Sequence, residues 1–172
     1  FASHGYEGSS LNQICARGNL SKGLLYHYYK NKDALYLSCV HVLFDDMTRY
    51  LRSEINLSTV TVEQYFTVRM RFFRQHPLHR KLFSDLLLYP QNRLQQEIGK
   101  CRGEFDAFNN ATLESVLQKE PLRSQLSMEE ALLQFRSFVH FLGIYIREDA
   151  AFDAEQKAND LLQTMLYGLL AR

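Results

Sequence analysis

Apolar residues recur at the three- and four-residue spacing of an α-helix along nearly all of this 172-residue chain. No stretch alternates apolar and polar residues as a half-buried strand would, and the prolines at positions 77, 90 and 121 fall where helices could begin or end. The pattern therefore predicts an all-α fold. Helices are expected at about residues 11–17, 22–29, 32–53, 62–75, 78–89, 94–118, 128–147 and 153–170.

The first two predicted helices are short and are separated by a tight turn. Ser9 or Ser10 is the natural N-cap of the first and Ser21 of the second, since a hydroxyl accepts a hydrogen bond from the free N–H groups of a first turn. Gly18 and Asn19 both tolerate the left-handed backbone that ends a helix abruptly. This arrangement predicts a helix-turn-helix, which places a short helix in the major groove of DNA.

Charge is distributed unevenly, although the whole chain carries a formal charge of only +1. Four basic residues face one acid within residues 1–32: Arg17, Lys22, Lys30 and Lys32 against Glu7. A basic end on a nearly neutral body predicts that this end contacts nucleic-acid phosphate.

The cysteines Cys15, Cys39 and Cys101 are odd in number and far apart, which predicts neither a disulfide framework nor a zinc site. A cytoplasmic location is expected, since no signal peptide or membrane-length apolar run occurs. Because the sequence begins at Phe1 rather than methionine, we expect it to be part of a longer protein that includes an earlier helical segment. We expect no cofactor and no metal.

The helix-turn-helix segment resembles a family signature. Residues 20–35 read LSKGLLYHYYKNKDAL and residues 5–14 read GYEGSSLNQI, and both resemble the DNA-binding module of the TetR family of bacterial regulators. The chain departs from that pattern at Gly18-Asn19, where the family has Ala-Gly, and at Cys15 and Tyr29, where it has Ala and Phe. The resemblance implies a DNA-binding module at residues 1–34. The helix at about 32–53 joins it to a C-terminal helical bundle, residues 35–172, for ligand sensing and dimerisation.

The resemblance also implies which side chains contact operator DNA. Those expected at phosphates are Ser9 or Ser10, Lys22, Tyr26 and Lys32, and those expected at base edges are Ser21, Gly23, Leu24, His27 and Tyr28. Leu24 can contact only a thymine methyl group or sense groove shape, because its side chain has no hydrogen-bonding atom. Tyr26 and Tyr28 have an alternative interpretation as core aromatics beneath the long helix.

The last two predicted helices carry more apolar residues than one core face requires. Two such helices from each subunit could form a four-helix bundle, and the resemblance implies a homodimer of this kind. The expected interface residues are Leu132, Phe135, Val139, Leu142, Ile146, Leu162, Met165, Leu166 and Leu169. A buried pair of core helices within a monomer is the alternative.

Aromatic residues are dense in the middle helices, with several polar residues near them in the sequence. An aromatic-walled cavity with a few polar groups is typical of a small-molecule site. The residues expected there are Tyr65, Phe66, Arg69, Phe73, Phe83, Arg102, Phe105, Asp106 and Asn109. Plain core packing is the alternative for the aromatic members.

These observations together predict a ligand-responsive transcriptional regulator. A repressor is expected, which binds a palindromic operator as a dimer and is released when a small molecule shifts the body to another conformation. The alternatives are a helical interaction module, or an enzyme, without DNA binding. We expect no enzyme, since His76 and His79 have no acidic partner at ligand spacing in the sequence.

Overall fold

The computed structural model describes the backbone of residues 1–148 and 153–169, with side chains at residues 1–139 and 159–168. Over these residues the chain forms eight α-helices and no β-strand, which confirms the all-α prediction. The helices are α1 (Leu11–Gly18), α2 (Lys22–Tyr28), α3 (Lys32–Glu54), α4 (Val62–Gln75), α5 (Pro77–Leu88), α6 (Gln95–Leu117), α7 (Met128–Glu148) and α8 (Asp153–Leu169). A single 3-10 turn, Asn92–Leu94, leads directly into α6. No helix among the described residues combines the length and apolarity that a membrane crossing requires.

Helix α3 runs from the helix-turn-helix into the centre of the body. Its 23 residues extend over about 35 Å, at about 1.5 Å per residue. Its apolar stripe is buried at helical spacing: Tyr36, Val40, Leu43, Phe44, Met47 and Leu51. The stripe packs against α4, α5 and α6. The body therefore fixes the direction of α3, and α3 in turn positions the short helices that precede it.

The two last helices complete the core of the same chain. Helix α7 packs on α5 and α6, and α8 packs on α4 and α7. Phe135, Leu162 and Leu166 were expected in a dimer interface, but they are 0%, 1% and 5% exposed and fill the core of one chain. Periodicity alone could not distinguish these two ways of covering an apolar face.

The other predicted interface residues divide into two groups. Leu132, Val139 and Met165 are partly buried against the core. Leu142, Ile146 and Leu169 lie outside the described side chains. Two further apolar side chains on these helices are largely exposed, Leu133 on α7 and Tyr167 on α8. The dimer interface stays a prediction.

Tyr6, Asp33 and Arg93 join the helix-turn-helix region to the body, and we call this trio the Arg93 clamp. Arg93 lies in the 3-10 turn before α6, and Asp33 lies in the first turn of α3. The Arg93 guanidinium donates to both carboxylate oxygens of Asp33, with Nη1–Oδ2 at 2.5 Å and Nη2–Oδ1 at 2.6 Å. The Tyr6 hydroxyl donates to the same carboxylate and accepts from Arg93. The clamp is therefore a bidentate ion pair closed by a phenol.

The clamp stabilises the ionised form of Asp33. Hydrogen bonds from Arg93 and then Tyr6 lower the pKa of Asp33 to about 2, from the ordinary value of 3.8. Burial of Tyr6, followed by its contact with Asp33, raises the pKa of the Tyr6 hydroxyl, which is therefore a neutral donor near neutral pH. A carboxyl whose pKa is lower in the folded state stabilises that state above its unfolded pKa. That contribution declines as pH falls toward the folded pKa.

Asp33→Asn is expected to lower the free energy of unfolding. The difference in this free energy from the unchanged chain should narrow as pH falls from about 5 to about 1, because Asp33 becomes protonated over that range. Urea denaturation at fixed protein concentration measures this gap at each pH. The matched control is the same substitution in an Arg93→Gln background, where the pH dependence of the gap should largely disappear. A gap that is independent of pH, or that keeps its pH dependence without Arg93, contradicts the clamp.

Candidate nucleic-acid interface and ligand cavity

The turn between α1 and α2 is built by local hydrogen bonds. Ser10 is the N-cap of α1 and forms a capping box with Gln13, in which each side chain accepts from the other residue's backbone N–H. Asn19 ends α1 in the left-handed region, with φ 50° and ψ 41°. Ser21 caps α2 by accepting from the Leu24 N–H at 3.1 Å. The predicted helix-turn-helix is thus present, with Ser10 rather than Ser9 as its first cap.

Helix α2 presents nearly all of its side chains to solvent. Leu25 is its one buried residue. The other predicted contact residues of this helix and its cap are exposed: Ser21, Lys22, Gly23, Leu24, Tyr26, His27 and Tyr28. Tyr26 and Tyr28 are 53% and 71% exposed, so the alternative that they are core aromatics is wrong. This outward surface of α2 is called the α2 face below.

Ser9 and Lys32, the two other residues expected at phosphates, are less exposed than those of α2. Ser9 is buried, and its hydroxyl donates to the Gly5 carbonyl oxygen at 2.7 Å, so Ser10 is the serine that remains at the surface. Lys32 is partly buried, with its ammonium 4.2 Å from the centre of the Tyr6 ring. The ring positions the Lys32 ammonium by a cation–π contact without neutralising it.

Positive charge predominates around the α2 face. Arg17 of α1, Lys22 of α2 and Lys30, which follows α2, are all exposed. Asp33 is the acid that follows them in the sequence, and the clamp pairs its carboxylate with Arg93 of the body. Because Arg93 neutralises this carboxylate, the positive charge of the nearby lysines is offset less, which favours contact with a polyanion. Sequence reasoning missed Arg93, because nothing local marks a partner 60 residues from Asp33.

A cavity of about 260 Å³ lies within the body and is lined by residues of α3 to α7. Much of its wall is apolar, including Phe44, Leu86, Ile98 and Leu113. Six of the nine residues predicted for such a site line it: Arg69, Phe83, Arg102, Phe105, Asp106 and Asn109. Their contact with a ligand stays a prediction.

The three remaining predicted residues are not in the cavity wall. Phe66 packs against Phe135 and Phe138, and Phe73 packs against Phe72 and Phe83. Tyr65 is fully buried behind the wall. Aromatic density in the sequence therefore identified this region, but the packing decided which rings border the cavity.

Polar groups in the wall are held in fixed positions. Arg69 Nη1 donates to the Tyr65 hydroxyl at 2.7 Å and to Asn109 Oδ1 at 2.9 Å, and the Tyr65 hydroxyl donates to the same amide oxygen. Burial raises the pKa of Tyr65, so its hydroxyl is neutral. Arg102 makes a separate bidentate pair with Asp106, with Nε–Oδ2 at 2.7 Å and Nη2–Oδ1 at 2.9 Å.

His76 and His79 have an acidic neighbour that the sequence did not indicate. Their ring centres are 5.3 Å apart, and both rings pack near Phe72. His79 Nε2 lies 3.1 Å from Oδ2 of Asp46, which comes from α3. Among the described residues, no group of three or more His, Cys, Asp or Glu side chains is placed to hold a metal ion.

Comparison with known proteins relates this architecture to bacterial regulators. Residues 1–39 match the family described as bacterial regulatory proteins, tetR family. The chain is 25% identical over 100 residues to the HTH-type transcriptional regulator RutR of Escherichia coli K12, an alignment that covers 57% of this chain and 47% of RutR. The chain thus spans about half the length of that relative.

Other relatives align along nearly the whole chain. The chain is 25% identical to IcaR of Staphylococcus aureus strain Newman, the HTH-type negative transcriptional regulator of the biofilm operon icaADBC, over 99% of this chain and 90% of IcaR. A TetR family regulator from Chloroflexus aurantiacus has the same fold, with a TM-score of 0.71 at 18% identity over 99% of this chain and 88% of that one. The ketosteroid transcriptional regulator KstR2 of Mycobacterium tuberculosis has a TM-score of 0.70 at 16% identity, over 100% of this chain and 90% of that one.

The matched N-terminal module and the shared helical fold agree with the signature at residues 5–35. The chain is thus similar to the TetR family of bacterial regulatory proteins in its N-terminal module, residues 1–39, and to solved TetR family regulators in its helical fold.

Proposed function

We propose that this chain is a transcriptional repressor that binds operator DNA through the α2 face and responds to a small molecule in the body cavity. The α2 face is the observation that carries the proposal. This seven-residue helix buries only Leu25 and exposes two tyrosines, a histidine and a lysine. These outward side chains contribute little to the packing of the fold. These side chains suit base edges and phosphates in a major groove.

Repression is supported by the comparison with IcaR, a negative transcriptional regulator to which the chain is similar along nearly its whole length. The proposal places the protein in the cytoplasm, where its DNA target lies, and assigns it no catalytic activity.

We further propose that the regulator acts as a homodimer through α7 and α8. Leu133 and Tyr167 are 64% and 55% exposed on these two helices, and Leu132, Val139 and Met165 are only partly covered by the chain itself. A two-fold dimer presents two α2 faces to DNA, and an operator that mirrors this symmetry is a palindrome. The second half-site supplies affinity that a single short helix lacks.

The Arg93 clamp supports a route by which the cavity could affect DNA binding. Arg93 lies two residues before α6, which supplies Arg102, Asp106 and Asn109 to the cavity wall. In this proposal a ligand that favours another position of α6 displaces Arg93 and with it Asp33 at the start of α3. The ligand shifts DNA binding only by its difference in affinity for the two positions.

Lys22→Ala is expected to weaken binding to all DNA duplexes, because it removes one phosphate contact that carries no sequence information. The slope of log affinity against log salt should become shallower by about one unit. Fluorescence anisotropy over a salt series measures both effects. The matched control is Arg71→Ala, which removes the same charge from α4, where Arg71 pairs with Glu54 at the last residue of α3. Equal loss of affinity in both variants contradicts a specific phosphate contact at Lys22.

Selection from a random duplex library is expected to enrich an inverted repeat. Tyr28→Ala and His27→Ala should retain low-salt DNA binding and enrich different bases within each half-site, because these side chains are expected to contact base edges. Arg71→Ala serves as a variant that lies outside both the α2 face and the proposed dimer helices, and it should enrich the same half-site as the unchanged chain. Failure of the unchanged chain to enrich any palindrome contradicts the proposed function.

A further inference from the structure

Arg69 carries a charge at the wall of the body cavity that no carboxylate among the described side chains neutralises. The residue is 5% exposed and borders the cavity from α4. Arginine stays protonated in proteins, and burying a charge without a counter-charge is costly. The two hydrogen-bond partners of Arg69, Tyr65 and Asn109, are both neutral. Within the described part of the chain no carboxylate pairs with this guanidinium.

The Arg69 guanidinium is incompletely bonded as well as charged. Only Nη1 has hydrogen-bond acceptors among the described residues, whereas a guanidinium also carries donors on Nε and Nη2. Its flat group lies near two aromatic rings of the cavity wall, 5.9 Å from the centre of Phe83 and 5.6 Å from that of Phe105. Tyr65 and Asn109 hold the Nη1 end of the guanidinium in place. The N–H groups on Nε and Nη2 are therefore positioned to donate to an acceptor in the cavity.

The acid in the described cavity wall does not neutralise Arg69. Asp106 is that acid, and its two oxygens are taken by Arg102. Arg69 and Arg102 line the cavity with it, and Asp106 pairs with Arg102, so the described wall retains an excess positive charge at Arg69. A wall that is otherwise largely aromatic and aliphatic, with this excess charge, is complementary to an apolar molecule that bears one anionic group.

We propose that the cavity binds a small apolar carboxylate, and that Arg69 is the residue that binds its carboxylate group. The planar fork of the guanidinium matches the two oxygens of a carboxylate. The volume of about 260 Å³ lies just below the range of about 300–1,000 Å³ for drug-sized sites, which favours a compact aryl or short alkyl acid. The inference rests on the proposed function only in that it takes this molecule to be the effector.

The test compares acids with their neutral amides on the unchanged protein. The probes are 3-phenylpropionate with 3-phenylpropanamide and hexanoate with hexanamide, measured by isothermal titration calorimetry and by thermal denaturation. Binding of at least one acid should be about tenfold or more tighter than binding of its amide, since a charge-assisted bidentate contact is lost in the amide. That acid should also raise the melting temperature. Equal affinity of each acid and its amide, or no binding by either acid, overturns the proposal.

A pair of variants tests whether Arg69 is responsible for the preference for the acid over its amide. Arg69→Met keeps much of the side-chain length without the charge, and it should reduce the acid–amide ratio to about one. Arg71→Met is the matched control, because Arg71 lies on the same helix α4 but is 40% exposed and pairs with Glu54. This variant should keep the full ratio. If Arg69→Met does not fold, Arg69→Lys replaces it, and the ratio should fall because an ammonium lacks the fork. An acid–amide ratio that stays unchanged in the Arg69 variant used overturns the assignment.

DNA binding of the same samples separates this proposal from the proposed function. If the unchanged chain binds no operator but still prefers the acid through Arg69, the ligand proposal stands and the regulatory one fails. If the chain binds operator DNA and no acid is preferred, the ligand proposal fails alone. Release of operator by the acid, but not by its amide, supports both.

Discussion

Burial of the apolar stripe of α3 is the constraint on which the rest of the structure depends. Val40, Met47 and Leu51 are fully buried, and each such side chain contributes roughly 1.5–3 kcal/mol relative to exposure. Rotation of α3 about its axis would expose the stripe, so packing in the body sets where its first turn lies. Only three residues separate the end of α2 from that turn, so the orientation of α2 follows from the packing of the core.

Charge is arranged to suit both proposed partners. The body contributes Arg93, which neutralises Asp33 beside the basic α2 face. It also buries Arg69, whose hydrogen-bond partners among the described residues are neutral, and in our proposal the carboxylate of a ligand neutralises this charge. Helix α6 connects the two sites, because it begins two residues after Arg93 and carries Asn109, to which Arg69 is hydrogen-bonded. A molecule that pairs with Arg69 is thus well placed to alter the clamp.

Local features were predictable from the sequence, and long-range ones were not. The capping hydrogen bonds of Ser10, Asn19 and Ser21 join residues only three or four positions apart. Residue type and spacing therefore determine the turn. Arg93 meets partners 60 and 87 residues away, which no local pattern encodes. Phe135 illustrates a second limit. Helical periodicity shows that a face must be covered, but whether the same chain or another one covers it depends on tertiary packing.

Hydrogen exchange in the presence of duplex DNA tests the central claim most directly, because it locates the surface that DNA covers. At low salt, amide exchange in peptides covering residues 10–32 should slow when DNA is added, while peptides from the cores of α4 and α6 should exchange at unchanged rates. Protection confined to the body, or no protection of residues 10–32 under conditions where DNA is bound, would contradict the assignment of the α2 face to DNA.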